Sequence, residues 1–299
     1  MKRNRILGNL YAEYEFIKNL KLKSSFGADY NSYRRNIFRP STLPTSVNQT
    51  PPSIPTGESR TKDVLNWVWE NTLSYHTMIN KDHSLSGIMG WTAQKESIDA
   101  SLIKATGYPN DLVETINAAP TPTEWSTTRQ QWSLLSFLAR AQYSYKSKYM
   151  LSAAIRTDGS SRFGHDNRWG TFPSVSAGWY ISEEDFMQSQ RHWLSSLKLR
   201  LSYGISGNFS IGNYEYYALI DNDNYVAGSP ESIKVGLVPI SAGNPELGWE
   251  KTAMTNLGIE IGVFNNMITL EADVYTSTTS DMLLEVPVPE LSGYSTVLK

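Results

Sequence analysis

Apolar and polar residues alternate with a period of two along most of this 299-residue chain. The stretch 196–206 shows the pattern clearly. It alternates four apolar residues with three polar ones, namely Leu197, Leu199, Leu201 and Tyr203 with Lys198, Arg200 and Ser202. Successive side chains of a β-strand point to opposite faces, so this pattern predicts strands with one apolar and one polar face. About ten such strands of up to about 15 residues follow, at 6–17, 20–30, 63–77, 82–95, 135–145, 149–155, 172–181, 196–206, 250–263 and 267–277.

The predicted connections differ in length in a regular way. Tight turns lie near 18, 80, 147 and 265, whereas long segments rich in Pro, Gly, Asn and Ser lie at 37–61, 96–126 and 206–248. The link at 157–171 is intermediate. Short periplasmic turns on one side and long extracellular loops on the other are typical of outer-membrane barrels. We therefore predict an all-β fold, an antiparallel transmembrane β-barrel, of which this chain supplies about ten long strands.

Composition agrees with that prediction. Charged residues make up 19% of the chain and aromatic residues 12%, yet no run of about 18 apolar residues occurs that could form a membrane helix. Lipid-facing residues at every second position of a strand leave the mean hydropathy unremarkable. Aromatic residues near predicted turns, such as Tyr14, Tyr143 and Tyr149, suit an interfacial girdle. A soluble β-sandwich or an adhesin of repeated hairpins is the alternative, and shorter strands with fewer exposed aromatics would indicate it.

Several classes of function find no support in the sequence. The formal net charge of −2 argues against a nucleic-acid partner. The chain has no cysteine, and no two of its four histidines have the spacing of a metal site on a helix or a strand. We therefore expect no metal and no cofactor, and no catalytic residue is assigned.

Two polar stretches contain residue types that are also found in catalytic sites. "RTDGSSRFG" (156–164) has the residue types of a phosphate-binding or nucleophile loop but neither required spacing, and Asp158-Gly159 is a turn signal. We predict a rim loop between two strands. "ISEEDF" (181–186) contains paired carboxylates, and we interpret it as the start of a short helix over 183–194 with Ser182 as its N-cap.

The long loops carry the candidate ligand-binding residues. Sugars and peptides often stack on aromatic rings, and three aromatic residues in the predicted loops are assigned this role: Trp169, Tyr216 and Tyr217. Loop packing and anchoring at the membrane interface are the alternative roles for the same residues.

Four segments together resemble one family. They are "SYKSKYMLSAAIRTDGSSRFGHDNRWGTFPSVSAGWYISEEDFM" (144–187), "ATGYPNDLVETINAAPT" (105–121), "LSSLKLRLSYGISGN" (194–208) and "NPELGWEKTAMTNLGIEI" (244–261). These segments resemble the barrel of SusC/RagA-type TonB-dependent transporters, which are outer-membrane nutrient importers of Gram-negative bacteria. The resemblance extends, in order, across most of the chain.

The resemblance implies an organisation and a function. Family barrels have about 22 strands, so residues 1–299 are expected to form part of the barrel domain, with the plug domain and the C-terminal strands absent. The expected partners are outer-membrane lipids, a SusD-like surface lipoprotein and TonB, which acts through the missing plug region. The expected function is the uptake of oligosaccharide or peptide, without enzymatic activity. A passive porin or a surface adhesin is the alternative.

Overall fold

A computed structural model describes residues 1–44, 50–228 and 232–299, so parts of the predicted connections 37–61 and 206–248 lie outside the described residues. The first eight strands, in chain order, are β1 (Lys2–Ile17), β2 (Leu20–Arg39), β3 (Thr56–Ile79), β4 (His83–Thr106), β5 (Thr121–Tyr145), β6 (Tyr149–Ser160), β7 (Trp169–Tyr180) and β8 (Leu194–Asn208). The remaining strands are β9 (Ile220–Asn222), β10 (Tyr225–Ala227), β11 (Ser232–Lys234), β12 (Leu237–Pro239), β13 (Glu250–Val263), β14 (Ile268–Ser280), β15 (Glu285–Pro287) and β16 (Thr296–Leu298).

The ten long strands of the described chain form one sheet, which confirms the all-β prediction. Its order is β1-β2-β3-β4-β5-β6-β7-β8-β13-β14, and each long strand lies beside the next long strand of the chain. Neighbouring strands from β5 onward are antiparallel. The short strands form three separate pairs, β9 with β12, β10 with β11, and β15 with β16.

The strand register places the two residue sets on opposite faces of the sheet. One continuous cross-strand row of the apolar face contains Tyr143, Leu151, Ala177, Leu201, Leu257 and Val274. The next row belongs to the polar face and contains Gln142, Ser152, Ser176, Ser202 and Asn256. Because a shift of one residue would exchange the two faces, the alternation itself specifies this register.

The four predicted tight turns are confirmed, and their residues explain them. Asn19, Lys81, Lys146 and Asn265 all have positive φ values between 51° and 69°. Hairpin turns of two residues require this left-handed conformation, which Asn adopts at lower cost than most residues. The short connections therefore follow from local sequence.

The strands extend further into the predicted loops than the apolar pattern indicated. β3 begins at Thr56, β4 ends at Thr106 and β5 begins at Thr121, so the predicted boundaries at 63, 95 and 135 are wrong. The added residues include charged groups on both faces, such as Glu58, Arg129 and Glu124. Apolar alternation disappears there, while backbone pairing continues.

The link predicted as one short helix over 183–194 with Ser182 as its cap is only partly helical. Two 3-10 helices, Ile181–Glu183 and Asp185–Gln190, occupy this link, and Ser182 lies buried inside the first of them. Neither helix has a side-chain cap. Glu184, which precedes the second helix, instead directs its carboxylate to residues of β6 and β7, as described below.

Two regions of the chain form compact units. The first comprises residues 1–11, 25–69 and 94–133, and its buried cluster is Ala105, Tyr108 and Ala119. A side chain at Gly57 would collide with the Tyr108 hydroxyl, so this packing requires glycine. The second comprises the other residues, and its buried cluster is Phe163, Phe172, Leu247 and Trp249.

Candidate functional site

A row of aromatic rings crosses the apolar face at the end of the sheet that carries the short turns. The rings of Tyr145 and Tyr149 are stacked at 6.3 Å, and those of Tyr149 and Trp179 at 6.3 Å, with interplanar angles of 18° and 13°. His83 lies 4.8 Å from the Tyr145 ring. Aromatic residues with one polar end favour the boundary between hydrocarbon and water. The row therefore has the character of an interfacial girdle.

The Glu184 carboxylate holds two members of this girdle. It accepts hydrogen bonds from the Tyr149 hydroxyl and, at 3.0 Å, from the Trp179 Nε1. The Lys148 ammonium lies 3.4 Å from its other oxygen. The hydrogen bonds from Tyr149 and Trp179 hold the pKa of Glu184 below its usual range, because they favour the ionised carboxylate. The acidic "ISEEDF" stretch thus orients aromatic side chains.

A second aromatic pair lies at the opposite end of the same face. Trp169 stacks on Phe137 with ring centroids 6.2 Å apart. Trp169 and Trp179 are ten residues apart on β7, which is about 33 Å along a strand. With the tilt of about 40° found in transmembrane barrels, the separation along the membrane normal is about 25 Å, the height of an apolar band. The spacing fits two interfaces of one bilayer.

The polar face carries a network of charged residues centred on Arg200 of β8. Its guanidinium contacts three carboxylates, Glu260 at 3.0 Å, Glu271 at 2.5 Å and Asp273 at 3.2 Å. A Cβ at Gly258, between these strands, would lie 2.4 Å from Asp273 Oδ1 and 3.0 Å from Arg200 Nη2. Glycine therefore leaves the space that the ion pair needs. Four charged side chains on one face are favourable where that face contacts water or other protein, as in the interior of a wide barrel.

A packed aromatic cluster lies at the end of the sheet that carries the long connections. Trp249 is at its centre, with the rings of Phe163, Phe172 and Phe209 each 5.3 Å away. The Trp249 Nε1 donates a hydrogen bond to the Arg168 carbonyl oxygen at 2.9 Å. We call these residues, with the buried Leu247, the Trp249 cluster. The cluster connects the segment after β6 with both ends of the long connection between β8 and β13, since Phe209 follows β8 and Trp249 precedes β13.

"RTDGSSRFG" supplies one member of this cluster, Phe163. Phe163 and Ser160 are fully buried, and Arg162 donates a hydrogen bond to Asn213 Oδ1 at 3.1 Å. Arg156 pairs with the buried Asp158 at 2.8 Å. The predicted rim loop over the whole stretch is wrong, because residues 156–160 continue β6 and only those after Ser160 leave the sheet. The stretch forms structural contacts, both within itself and with Asn213 and the Trp249 cluster.

The three candidate ligand-binding residues occupy different environments. Trp169 lies on the apolar face against Phe137. Tyr216 packs against the Trp249 cluster, and its burial, together with a hydrogen bond to Tyr217, raises its pKa to about 12. Tyr217 lies 4.0 Å from the Tyr216 ring and is 52% exposed. The structure brings the two tyrosines together and leaves Trp169 apart from them.

Other chemistry has few candidates in the part of the chain that the structure describes. No group of three or more His, Asp or Glu side chains is placed to hold a metal ion there. Within the same ranges, no helix is long and apolar enough to cross a membrane. The His83 Nδ1 lies 2.6 Å from the Tyr143 hydroxyl, which accounts for that histidine as a girdle residue.

Sequence reasoning missed the Trp249 cluster. Its members Phe163 and Phe172 lie in "SYKSKYMLSAAIRTDGSSRFGHDNRWGTFPSVSAGWYISEEDFM", and Leu247 and Trp249 lie in "NPELGWEKTAMTNLGIEI", which are two of the four segments that resemble the family. The presence of these four residues in segments that resemble the family was the one feature of the sequence that pointed to the cluster. Glu184 was missed because its partners lie on β6 and β7 rather than in the link that contains it.

Comparisons with known proteins agree with this geometry. The family model "TonB dependent receptor-like, beta-barrel" matches residues 2–297. TonB-dependent receptor P39 of Formosa agariphila is 35% identical over 96% of this chain and 27% of its own length. TonB-dependent receptor SusC of Bacteroides thetaiotaomicron is 40% identical over 52% of this chain and 16% of its own length.

The fold agrees as well. A structure of the RagAB peptide transporter matches with a TM-score of 0.90 and 31% identity, over 99% of this chain and 32% of the transporter chain. The copper transporter OprC shares the fold alone, at a TM-score of 0.51 and 14% identity. This chain thus spans about a third or less of the length of the TonB-dependent receptor relatives and of the RagAB transporter chain. Members of this family are outer-membrane transport proteins and not enzymes. The chain belongs to the TonB-dependent receptor family of SusC/RagA type and corresponds to part of its β-barrel.

Proposed function

We propose that this chain forms part of the wall of an outer-membrane barrel that imports oligosaccharide or peptide. The observation that carries the proposal is the two-faced sheet, whose apolar face ends in two aromatic rows about 25 Å apart along the membrane normal. The opposite face carries the Arg200 network and rows of serine and asparagine. A wall with lipid on one side and a polar lumen on the other requires this distribution.

The proposed partners are a SusD-like surface lipoprotein, TonB and outer-membrane lipids. RagAB is a peptide transporter and SusC is a TonB-dependent receptor, and the similarity of this chain to both supports these partners. TonB would act through a plug domain outside these residues. In this arrangement the Trp249 cluster supports the extracellular loops that face the lipoprotein.

Of the candidate aromatic residues, we propose Tyr217 as the first contact for substrate. Tyr217 is half exposed at the long-loop end, and its ring packs against the ring of Tyr216. Trp169 and Tyr216 are proposed as weaker contacts, since each is packed against another aromatic group. A Tyr217→Ala variant should reduce uptake without changing folding, whereas Tyr217→Phe should retain most uptake.

An uptake experiment distinguishes this function from its alternatives. The gene that contains this chain is deleted and restored, and the import of labelled oligosaccharides and peptides is measured with and without TonB. Import that requires both the gene and TonB is the expected result. Import that persists without TonB would indicate a passive porin, and the absence of any import with intact surface binding would indicate an adhesin.

A further inference from the structure

A cation at the long-loop end of the sheet has no counterion among the described residues. Arg168, the residue before β7, is half-buried, and its Nε is shielded from solvent without a hydrogen-bond partner. Its Nη1 and Nη2 likewise form no hydrogen bond or ion pair within the described ranges, but they remain open to solvent. Arg162, in the same connection, instead donates hydrogen bonds to Asn213 Oδ1 and to the Phe209 carbonyl oxygen. The outer edge of the Arg168 guanidinium is therefore available to an anion from outside the chain.

The backbone of Arg168 is held in place on both sides. Its carbonyl oxygen accepts one hydrogen bond from the Ser160 amide at 3.1 Å and another from the Trp249 Nε1 at 2.9 Å. Trp169 lies on the apolar face, and successive side chains of a strand alternate, so Arg168 points to the polar face. A residue that is fixed before binding loses less entropy when it binds a ligand.

Two tyrosines lie beside this cation. Tyr216 packs against the Trp249 cluster, to which the Arg168 carbonyl is hydrogen-bonded, and its ring lies 4.0 Å from that of Tyr217. Burial and a hydrogen bond with Tyr217 raise the pKa of Tyr216 to about 12, whereas the nearby positive charge of Arg168 acts in the opposite direction. Tyr216 therefore keeps its proton at neutral pH. One guanidinium and two phenol hydroxyls form a set of hydrogen-bond donors.

This set of donors has the chemistry of a carboxylate site. A guanidinium binds a carboxylate through two parallel N–H···O bonds, and such charge-assisted bonds are about twice as strong as neutral ones. The Nη1 and Nη2 atoms of Arg168 form the edge that can make both bonds, since its Nε is shielded. Tyr217 is 52% exposed, so its ring can contact the part of the ligand next to the carboxylate.

We propose that Arg168, together with Tyr216 and Tyr217, binds a carboxylate of the imported substrate, so that the protein selects acidic substrates over neutral ones. The proposal rests on the proposed function, which places the polar face in the lumen and makes oligosaccharides and peptides the substrates. A peptide supplies the carboxylate at its C-terminus, and an oligosaccharide supplies it where it contains a uronic acid.

The affinity of the intact protein for matched ligands tests this site. Isothermal titration in detergent compares a neutral-side-chain peptide with its C-terminal amide, and a uronic-acid oligosaccharide with its methyl ester. In at least one pair, the wild-type protein should bind the free acid about tenfold more tightly, and that pair identifies the source of the carboxylate. Arg168→Gln should abolish the preference and leave the affinity for the neutral form unchanged. Arg168→Lys should retain part of it, because lysine keeps the charge but not the two-bond geometry.

The matched control is Arg129→Gln. Arg129 is exposed on β5 and pairs with Asp99 at 2.6 Å, so this variant should keep the full preference for the acid. Each variant is measured with both forms of a ligand, and a general loss of folded protein lowers both signals alike. A wild-type protein that binds acid and neutral forms equally in both pairs would overturn the proposal. An Arg168→Gln variant with the full wild-type preference would overturn it as well.

Import is measured separately with the same ligands. If the acid forms bind with the expected preference but no import requires TonB, the proposed function is contradicted and the carboxylate site stands. If import requires TonB but the acid and neutral forms bind equally, the carboxylate site is contradicted and the proposed function stands.

Discussion

The Trp249 Nε1 donates a hydrogen bond to the carbonyl oxygen of Arg168, a residue 81 positions earlier in the chain. This bond joins the loop between β6 and β7 to the residue that precedes β13. The surrounding rings of Phe163, Phe172 and Phe209 leave Trp249 only 5% exposed. The cluster thus fixes the ends of several strands where the long loops leave the sheet.

Trp249→Ala should therefore destabilise the intact protein by about 3–5 kcal/mol, because a large aromatic group is removed from a packed site. The measurement is the denaturant midpoint of the barrel in detergent, together with protease cleavage within residues 161–168. Trp125→Ala is the matched control, since Trp125 is 73% exposed and its removal leaves no cavity. Equal stability of the two variants would show that the cluster does not hold this end together.

Gly207→Ala should be costly because of Phe172. A Cβ at Gly207 would lie 2.0 Å from the Phe172 ring, and the ring is enclosed by Trp249. The expected loss of stability is about 1–3 kcal/mol. Gly8→Ala places the same methyl group where nothing lies within 4 Å, and we expect no comparable loss. Adding Phe172→Leu to Gly207→Ala should recover part of the stability, and additive losses in the double variant would speak against the contact.

The Glu184 carboxylate should make stability depend on acidic pH. Because the folded protein lowers its pKa, the stabilisation is fully present above the ordinary pKa of glutamate and is lost as pH falls through the lowered value. Glu184→Gln should remove this component of the pH dependence and weaken the hold on Tyr149 and Trp179. Denaturation midpoints from neutral to acidic pH measure it, with the exposed Glu183→Gln as control. Identical profiles for the two variants would contradict this role.

Arg200→Met should leave Glu260, Glu271 and Asp273 close together without their shared cation. Because these side chains are partly exposed, we expect a small loss of stability at low ionic strength and a smaller loss at high salt. Adding Asp273→Asn should restore part of the loss, since it removes one of the repelling charges. The salt dependence of the denaturation midpoint is the readout, and a loss that salt does not change would exclude an electrostatic cause.

The alternating pattern predicted the long strands and the short turns of the antiparallel sheet, because those features depend on local residue types. It underestimated β3, β4 and β5, whose outer ends carry Glu58, Arg129 and other polar residues on both faces. Where no apolar environment covers one face of a sheet, nothing requires that face to be apolar, so strand pairing there depends on neighbouring strands rather than on hydrophobicity.

The sequence predicted less of the candidate site than of the fold. Trp169 and Tyr216 have the residue type of a ligand contact, but the sequence does not reveal that Phe137 and the Trp249 cluster occupy their rings. Glu184 likewise has a residue type that is expected in the first turn of a helix. Its partners, Tyr149 and Trp179, come within reach only through the pairing of β6 with β7.

The most direct test of the wall is residue-by-residue accessibility along β8. This chain contains no cysteine, so single cysteines can be placed in it one at a time within the intact protein in native membranes. Leu199→Cys, Leu201→Cys and Tyr203→Cys should be protected from a water-soluble thiol reagent by lipid. Arg200→Cys, Ser202→Cys and Gly204→Cys should react from the lumen. A period of two in labelling is the predicted result, and equal labelling of both sets would contradict a wall with lipid on one face and water on the other.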